Sequence, residues 1–347
     1  MEIKITLFFF SLRLRSSIPS GAGLFTLRRP AISHHRVLIG DCFERLRELP
    51  PSSHQVCITS PPYWNLRDYR GEAKQIGLEE SIEAHLDVLL RVFREVRRVL
   101  RPDATLWVNY GDKYESKELL GLPWRLALAL QEDDWCLRSD IIWSKPNPVP
   151  EPLSRGRPVS SHEHLFLLSA SPSYYYDADA VREGRNLRDV WEIPKFAVNA
   201  AHFATYPPAL VEPCIKAGSS ERGCCRECRA PYRRIVEVSG GTIGTGGWRN
   251  HDGSRYTKGN RITNQKAHDG TYSRETTGWE AGCGCEAGDP IPCKVLDPFG
   301  GALTTALVSD RLGRDSTSIE LSAEYAAIGE SRLRADAPLF LNLGIVK

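Results

Sequence analysis

The chain has 347 residues, 41% of them apolar and 25% charged, an ordinary globular composition with material for one large domain and an appendage. Its net charge of +2 is too small to serve as an electrostatic signature of nucleic-acid binding, so any such contact has to come from local basic clusters. No stretch of sequence is long enough to cross a bilayer, and seven of the ten cysteines crowd between Cys214 and Cys293, which points to a cytosolic metal site instead of a secreted disulfide scaffold.

In chain order, residues 1–35 begin with an apolar run at 5–10 followed by Arg13, Arg15, Arg28 and Arg29, a loose imitation of a targeting peptide. The run is shorter than a secretory core and no small-residue cleavage site follows it closely, so the expectation is a disordered leader on a cytoplasmic protein. From Val37 onward, short β-branched or apolar runs alternate with amphipathic stretches, which predicts an α/β fold with a mainly parallel sheet. The predicted strands are 36–39, 56–59, 105–109, 140–143, 164–168, 294–296 and 317–321. The clearest helix follows Ser81, an N-cap, and carries Ile82, Leu86, Leu89, Phe93, Val96 and Leu100 at alternating spacings of four and three before Pro102 stops it. Between 239 and 282 the chain turns to Gly, Thr, Asn, Ser and charged residues, too poor in aliphatics for a core of its own, and reads as an insertion.

The sharpest motif, Thr59-Ser60-Pro61-Pro62-Tyr63-Trp64, follows the predicted strand 56–59 directly. Both prolines lock φ and neither donates a hydrogen bond, so the turn fixes a side-chain acceptor, a backbone carbonyl and a flat ring close together. That suits an exocyclic amino group on a flat base, whose lone pair is delocalised into the ring. Hydrogen bonds from its protons to Ser60 and to the Pro61 carbonyl favour pyramidal geometry and in-line attack on a sulfonium methyl, with Tyr63 stacked on the base. A base reaches such a pocket only when flipped out of the duplex. Further on, residues 294–305 read as a strand, a glycine-bearing turn and a helix start, and Glu320 follows near the end of another strand. This is how Rossmann-like sheets hold nucleosides, with backbone close to the ligand at the glycines and an acid on the ribose hydroxyls.

Together these segments resemble the DNA amino-methyltransferases, in the permuted (β-class) group where the catalytic motif precedes the cofactor motif. Ser60, Pro61, Pro62 and Tyr63 match the family's catalytic motif, and Asp297-Pro-Phe299-Gly-Gly301 its cofactor motif, with Thr304 just beyond. His202-Phe203-Ala-Thr205-Tyr-Pro207 resembles the segment around the methionine end of the cofactor, Asp41 the position that meets the adenine ring, and Glu320 the ribose acid. Further matches are Asn109-Tyr-Gly-Asp112, Trp143-Ser-Lys-Pro-Asn147, His162-Glu163 and Tyr174-Tyr-Tyr-Asp-Ala-Asp179. The resemblance implies a Rossmann-like methyltransferase that uses S-adenosylmethionine on double-stranded DNA, beside a cognate restriction endonuclease or as an orphan or prophage enzyme. The Ser-Pro-Pro-Tyr form tilts the expectation towards cytosine N4. Adenine N6 is the rival, and a catalytically impaired DNA-binding descendant or a glutamine-modifying protein methyltransferase are more distant ones. Cytosine C5 chemistry needs a cysteine nucleophile, and neither Pro213-Cys214 nor Pro292-Cys293 has the surroundings of that family.

The expected organisation is a leader at 1–35, a catalytic half at 36–213, a cysteine-bounded insertion at 214–293, a cofactor half at 294–335 and a tail at 336–347. Within the insertion, Cys225-x-x-Cys228 and Cys283-x-Cys285 form two close pairs that could close a tetrahedral zinc site of zinc-ribbon type, with Cys224 and Cys293 as substitutes and His251 and His268 as weaker ones. Trp248, Arg249, Arg255, Tyr256, Lys258, Arg261, Lys266, Tyr272 and Arg274 mix charge with aromatic faces, which would suit DNA contact. Two departures from the family stand near the cofactor turn. Leu303 and Ser318 occupy places where glycine is usual, which predicts weakened cofactor binding unless position 303 points into the core.

Overall fold

A computed structural model describes residues 33–66, 75–148, 156–195, 206–240, 272–286, 288–337 and 341–347. Most of the predicted leader, residues 1–32, lies outside these, and Ala31–Lys347 form one compact unit. In chain order the elements are β1 (His34–Ile39), α1 (Cys42–Arg47), β2 (His54–Thr59), α2 (Ile82–Val99), β3 (Leu100–Tyr110), β4 (Tyr114–Glu115), β5 (Glu118–Leu119), α3 (Leu122–Glu132), β6 (Cys136–Ser144) and β7 (His162–Ser169). There follow β8 (Val190–Glu192), α4 (Pro208–Gly218), β9 (Arg233–Gly240), β10 (Tyr272–Glu280), β11 (Lys294–Asp297), α5 (Thr304–Arg311), β12 (Asp315–Glu320), α6 (Ala323–Asp336) and β13 (Asn342–Val346). None of the described helices is long and apolar enough to cross a membrane.

Nine strands form one sheet in the order β13-β1-β12-β11-β2-β3-β7-β6-β8. Every neighbouring pair is parallel except β3 with β7 and β7 with β6, so β7 alone runs against the rest. Six of the seven predicted strands fall inside observed ones and the seventh, 317–321, overruns β12 by one residue, but the reversal of β7 leaves no mark on its apolar pattern. β13 lies in the stretch read as a tail. It is short, contains Gly344 and pairs with one neighbour only, so its sequence carries little strand signal.

Helix α2 follows the sequence pattern closely. Ser81 caps it by accepting the Ala84 amide at 3.1 Å, and Leu89, Val92, Phe93, Val96 and Val99 are buried. It ends at Val99, before Pro102, because Leu100 already turns into the extended conformation that opens β3. On one face of the sheet α1, α2 and α3 cover a core centred on Phe93, Leu106, Tyr110, Trp135 and Phe166. On the other, α4 and α5 cover Val56, Ile58, Trp107, Leu165 and Val295, while α6 packs with α5 over Val37. β11 leads through α5 to β12 on one side, while its other neighbour β2 leads through α2 to β3. The carboxyl ends of β11 and β2 therefore flank the crevice where open α/β sheets bind ligands.

The residues of the expected insertion divide between two environments. Cys214 lies in α4, fully buried against the sheet, and Cys293 is fully buried beside β11. Between them, β9 and β10 form an antiparallel two-stranded hairpin separate from the main sheet, with residues 241–271 of the insertion outside the described set. The hairpin is tied down by charge. Arg234 reaches Asp177 at 3.0 Å and Glu221 at 2.8 Å, and Arg274 reaches Asp179 at 2.6 Å.

Leu303 meets both of the alternatives read from the sequence. Its backbone is left-handed, φ 57°, the conformation that glycine adopts freely, and its side chain is nevertheless fully buried with Val37, Ala306, Leu307, Ala326 and Leu333. Gly329 in α6 makes the room, since a Cβ there would lie 2.3 Å from Leu303 Cγ. Leu303→Gly would relieve about 1–2 kcal/mol of left-handed strain while removing a buried leucine, a loss of about 2–5 kcal/mol. The variant is therefore expected to unfold at lower denaturant concentration. Gly329→Ala should cost about 1–3 kcal/mol by overpacking, and adding Leu303→Ala to it should cost less than the sum of the two single changes. Additive losses in a double-mutant cycle would show that the two positions do not compete for one space.

Candidate active site

The carboxylate of Asp297, at the end of β11, is buried and joins four segments of chain. It accepts hydrogen bonds from Thr59 Oγ1 at 2.7 Å, Tyr206 OH at 2.9 Å, Thr305 Oγ1 at 2.7 Å and the Phe299 amide at 3.1 Å. The Tyr206 and Thr305 hydroxyl oxygens also lie against each other. Burial raises the proton affinity of this carboxylate and the four donors lower it, with burial the larger effect. Asp297 thus faces inward as a tie between the expected cofactor turn and Thr59, the residue immediately before Ser60. None of its three side-chain partners has a role of its own in the sequence reading, although Thr59 opens the catalytic motif, Tyr206 lies within the matched segment 202–207 and Thr305 within 294–305.

After Thr59 the chain leaves β2 through Pro61 and Pro62, and Tyr63 folds back across the end of the sheet. Ser60 Oγ donates to Tyr63 OH at 3.4 Å, and Tyr63 OH lies 3.0 Å from Glu163 Oε2 and 3.5 Å from Asn109 Oδ1. Its ring packs on Tyr110, centroids 4.7 Å apart. Gly111 is required by this packing, because a Cβ there would lie 2.7 Å from Tyr63 Cε2. Burial and the Glu163 carboxylate hold the Tyr63 phenol well above its ordinary pKa, so it is neutral. Behind it, Tyr110 OH meets His85 Nε2 at 2.8 Å, and His85 Nδ1 meets Glu79 Oε2 at 2.7 Å, which fixes α2 against the turn. Lys145, just past the end of β6, closes the group by an ion pair to Glu163.

The residues expected at the cofactor gather at the carboxyl ends of β11, β12 and β1. The Glu320 carboxylate accepts from the Gly301 amide at 2.7 Å and the Ser322 amide at 2.9 Å, and the Gly40 amide donates to the Glu320 carbonyl at 2.9 Å. Two backbone donors occupy part of the carboxylate and leave lone pairs on each oxygen for hydroxyl donors. Gly301 adopts φ 49° with open space where a Cβ would stand. Asp41 caps α1 by accepting the Glu44 amide at 2.9 Å and borders a cavity of about 360 Å³ with Phe43, Glu44, Ile76, Glu79 and Arg91. Phe299 is half-buried beside this group. Thr304 stands apart from it: the residue is buried, and its hydroxyl receives Arg332 of α6 at 3.2 Å. Ser318 is buried within β12, beside the point where a Cβ on Gly300 would meet it at 3.1 Å. His202, Phe203 and Thr205 lie outside the described residues.

Four cysteines converge at the base of the hairpin. The sulfurs of Cys225, Cys228, Cys283 and Cys285 all lie within 4.8 Å of one another. Amide donors from Cys228 and Glu227 pull the Cys225 thiol down to about 7, whereas the sulfurs of Cys228 and Cys283 push Cys285 upward. Cys224 and Cys293 are buried outside this set, and His251 and His268 lie outside the described residues. Burial raises Cys214 and Cys293 well above the ordinary thiol range, so neither is an accessible nucleophile.

Residues 54–225 match the model of the DNA methylase family. The Type II methyltransferase M.Cfr9I of Citrobacter freundii is 46% identical over 215 residues, 52% of this chain and 71% of that protein. M.SmaI of Serratia marcescens is 32% identical over 335 residues, 86% of this chain and 90% of that one. Among solved structures, the cytosine-N4-specific PvuII DNA methyltransferase shares the fold, with a TM-score of 0.58 at 18% identity over 91% of this chain and 95% of that one. With the catalytic motif ahead of the cofactor motif, the chain belongs to the permuted DNA methylases, the amino-methyltransferases of DNA that use S-adenosylmethionine.

Proposed function

We propose that the protein transfers a methyl group from S-adenosylmethionine to the N4 amino group of a cytosine flipped out of double-stranded DNA. The observation that carries this reading is the Ser60 hydroxyl. It spends its proton on Tyr63 and so keeps its lone pairs for a base N–H, beside a Pro61 carbonyl that the two prolines hold still. Bound at Glu320, Gly301, Phe299 and Asp41, the cofactor would supply an electrophilic methyl group. The Glu320 lone pairs, the open face of Gly301 and the cavity beside Asp41 suit a ribose, a close backbone approach and an adenine. The mark so made would protect DNA from a cognate restriction endonuclease in the cytoplasm.

Nucleoside mass spectrometry of DNA from expressing cells is expected to show N4-methylcytosine, confined to one sequence context. N6-methyladenine alone would change the base and leave the chemistry standing, while 5-methylcytosine alone would overturn the mechanism.

We further propose that Cys225, Cys228, Cys283 and Cys285 bind one structural zinc ion. A tetrahedral set with Zn–S bonds of about 2.3 Å places sulfurs about 3.8 Å apart, and the four thiols already lie within 4.8 Å of one another. Four thiolates cannot share so small a space without a cation, and thiolate ligation supplies folding energy to a hairpin with little apolar surface to bury. Ile235 and Val238 are exposed on that hairpin. The module is the candidate DNA-contacting element, and within it Arg274 serves as an anchor to Asp179. The remaining candidates except Tyr272 (Trp248, Arg249, Arg255, Tyr256, Lys258, Arg261 and Lys266) lie outside the described residues. Elemental analysis is expected to give about one zinc per chain, lost or sharply weakened in a Cys225→Ser, Cys228→Ser double variant. A metal-free, stable and active preparation would return these cysteines to ordinary thiols.

A further inference from the structure

A serine hydroxyl accepts a hydrogen bond well but is a poor base, and methylation of an exocyclic amino group must release a proton. We propose that Glu163 takes that proton through a wire running Ser60, Tyr63, Glu163, an inference that rests on the amino-methyltransferase reading and holds for either base. The donors all point one way. Ser60 Oγ donates to Tyr63 OH at 3.4 Å, and Tyr63 OH donates to Glu163 Oε2 at 3.0 Å. Among the described residues, Glu163 is the only carboxylate bonded to this pair. The other neighbour of Tyr63 OH is the Asn109 amide, whose nitrogen donates to the His164 carbonyl at 3.1 Å and which cannot serve as a base. The Tyr63 phenol, held neutral by burial and by Glu163, passes a proton through its hydroxyl without becoming an anion.

The groups facing Glu163 are Lys145 from just after β6, Tyr63 from the turn after β2, and Gly111 from just after β3, with Asn109 Oδ1 beside the Tyr63 hydroxyl. Lys145 is only 7% exposed and holds Glu163 Oε1, which leaves Oε2 directed at Tyr63. A Cβ at Gly111 would lie 3.3 Å from Glu163 Cδ as well as 2.7 Å from Tyr63 Cε2, so this glycine lets ring and carboxylate approach.

The lone pair of the amino nitrogen forms a bond to the methyl carbon while the carbon–sulfur bond breaks, its electron pair staying on sulfur, which becomes a neutral thioether. The nitrogen, now cationic, gives a proton to Ser60 Oγ as the Ser60 proton moves to Tyr63 and the Tyr63 proton to Glu163 Oε2. A sulfonium and a carboxylate become a thioether and a carboxylic acid. Glu163 returns its proton to water after product leaves.

Single-turnover transfer of labelled methyl groups to unmethylated bacterial genomic DNA tests this, with KM for the donor and the melting temperature measured alongside. Glu163→Gln is expected to lower the transfer rate about 100-fold or more while leaving KM for the donor unchanged. Tyr63→Phe should give a loss of similar size, the two together should be no worse than either alone, and Glu163→Asp should recover part of the rate. The wire is overturned by a Glu163→Gln rate within about threefold of wild type, or by single losses that multiply in the double variant, as independent structural roles would give. Should Glu163→Gln fail to fold, Tyr63→Phe decides alone: a rate within about threefold of wild type overturns the wire, and a loss of about 100-fold with an unchanged KM for the donor supports it. A wild-type protein that labels no DNA overturns the amino-methyltransferase reading and the wire together, whereas an active wild type with indifferent variants overturns the wire alone.

Discussion

The geometry of this site depends on one buried carboxylate. Asp297 ends the strand that opens the cofactor turn, and through Thr59 it grips the strand that opens the catalytic turn. β11 and β2 are neighbours in the sheet yet separated by more than two hundred residues of sequence, so a short hydrogen bond between their ends sets the spacing between donor and acceptor halves. Tyr206 and Thr305 complete the coordination of the carboxylate from α5 and from the segment before α4. With four donors on a buried carboxylate, loss of any one would leave a charge underpaired in a dry place, which is why such a node is stiff.

Stiffness there has a use. Attack on a methyl group needs nitrogen, carbon and sulfur in line, and misplacement on the order of 1 Å can cost about a hundredfold in rate. Ser60 is one residue from the tie, Pro61 and Pro62 remove the freedom of the turn, and Tyr110, His85 and Glu79 brace the turn from α2. Glu163, from the antiparallel strand β7, and Lys145, from just past its neighbour β6, reach the same point from the opposite side. The reversal of β7 matters here: it brings its first residues, not its last, to the carboxyl end of the parallel strands, where the chemistry is.

The hairpin of β9 and β10 stands on a different kind of support. It adds no strand to the main sheet and is held by Arg234 and Arg274 on Asp177 and Asp179, together with the cysteine cluster at its base. The Tyr174–Asp179 stretch, matched in the sequence without an assigned role, supplies both of these aspartates. Such ties leave the catalytic layer intact around an insertion of little apolar content, because the strands on either side of the insertion pair within one sheet.

Local chemistry was legible in the sequence where it is written in adjacent residues. The proline-locked catalytic turn, the strand-turn-helix at 294–305, the Ser81 cap and the paired cysteines each depend on neighbours within a few positions, and local spacing alone reveals them. Leu303 shows the limit, since a glycine-like backbone and a core side chain coexist only because Gly329, on another helix, yields the space. Asp297 with Thr59, Glu163 with Tyr63, and the reversed strand β7 were decided by the tertiary structure. Their partners lie 238 and 100 residues apart in the two hydrogen-bonded pairs, and nothing in a linear pattern says which distant side chain a buried polar group will meet. Burial settles that, because a carboxylate or phenol removed from water must find a partner, and only the packed sheet determines which one is within reach.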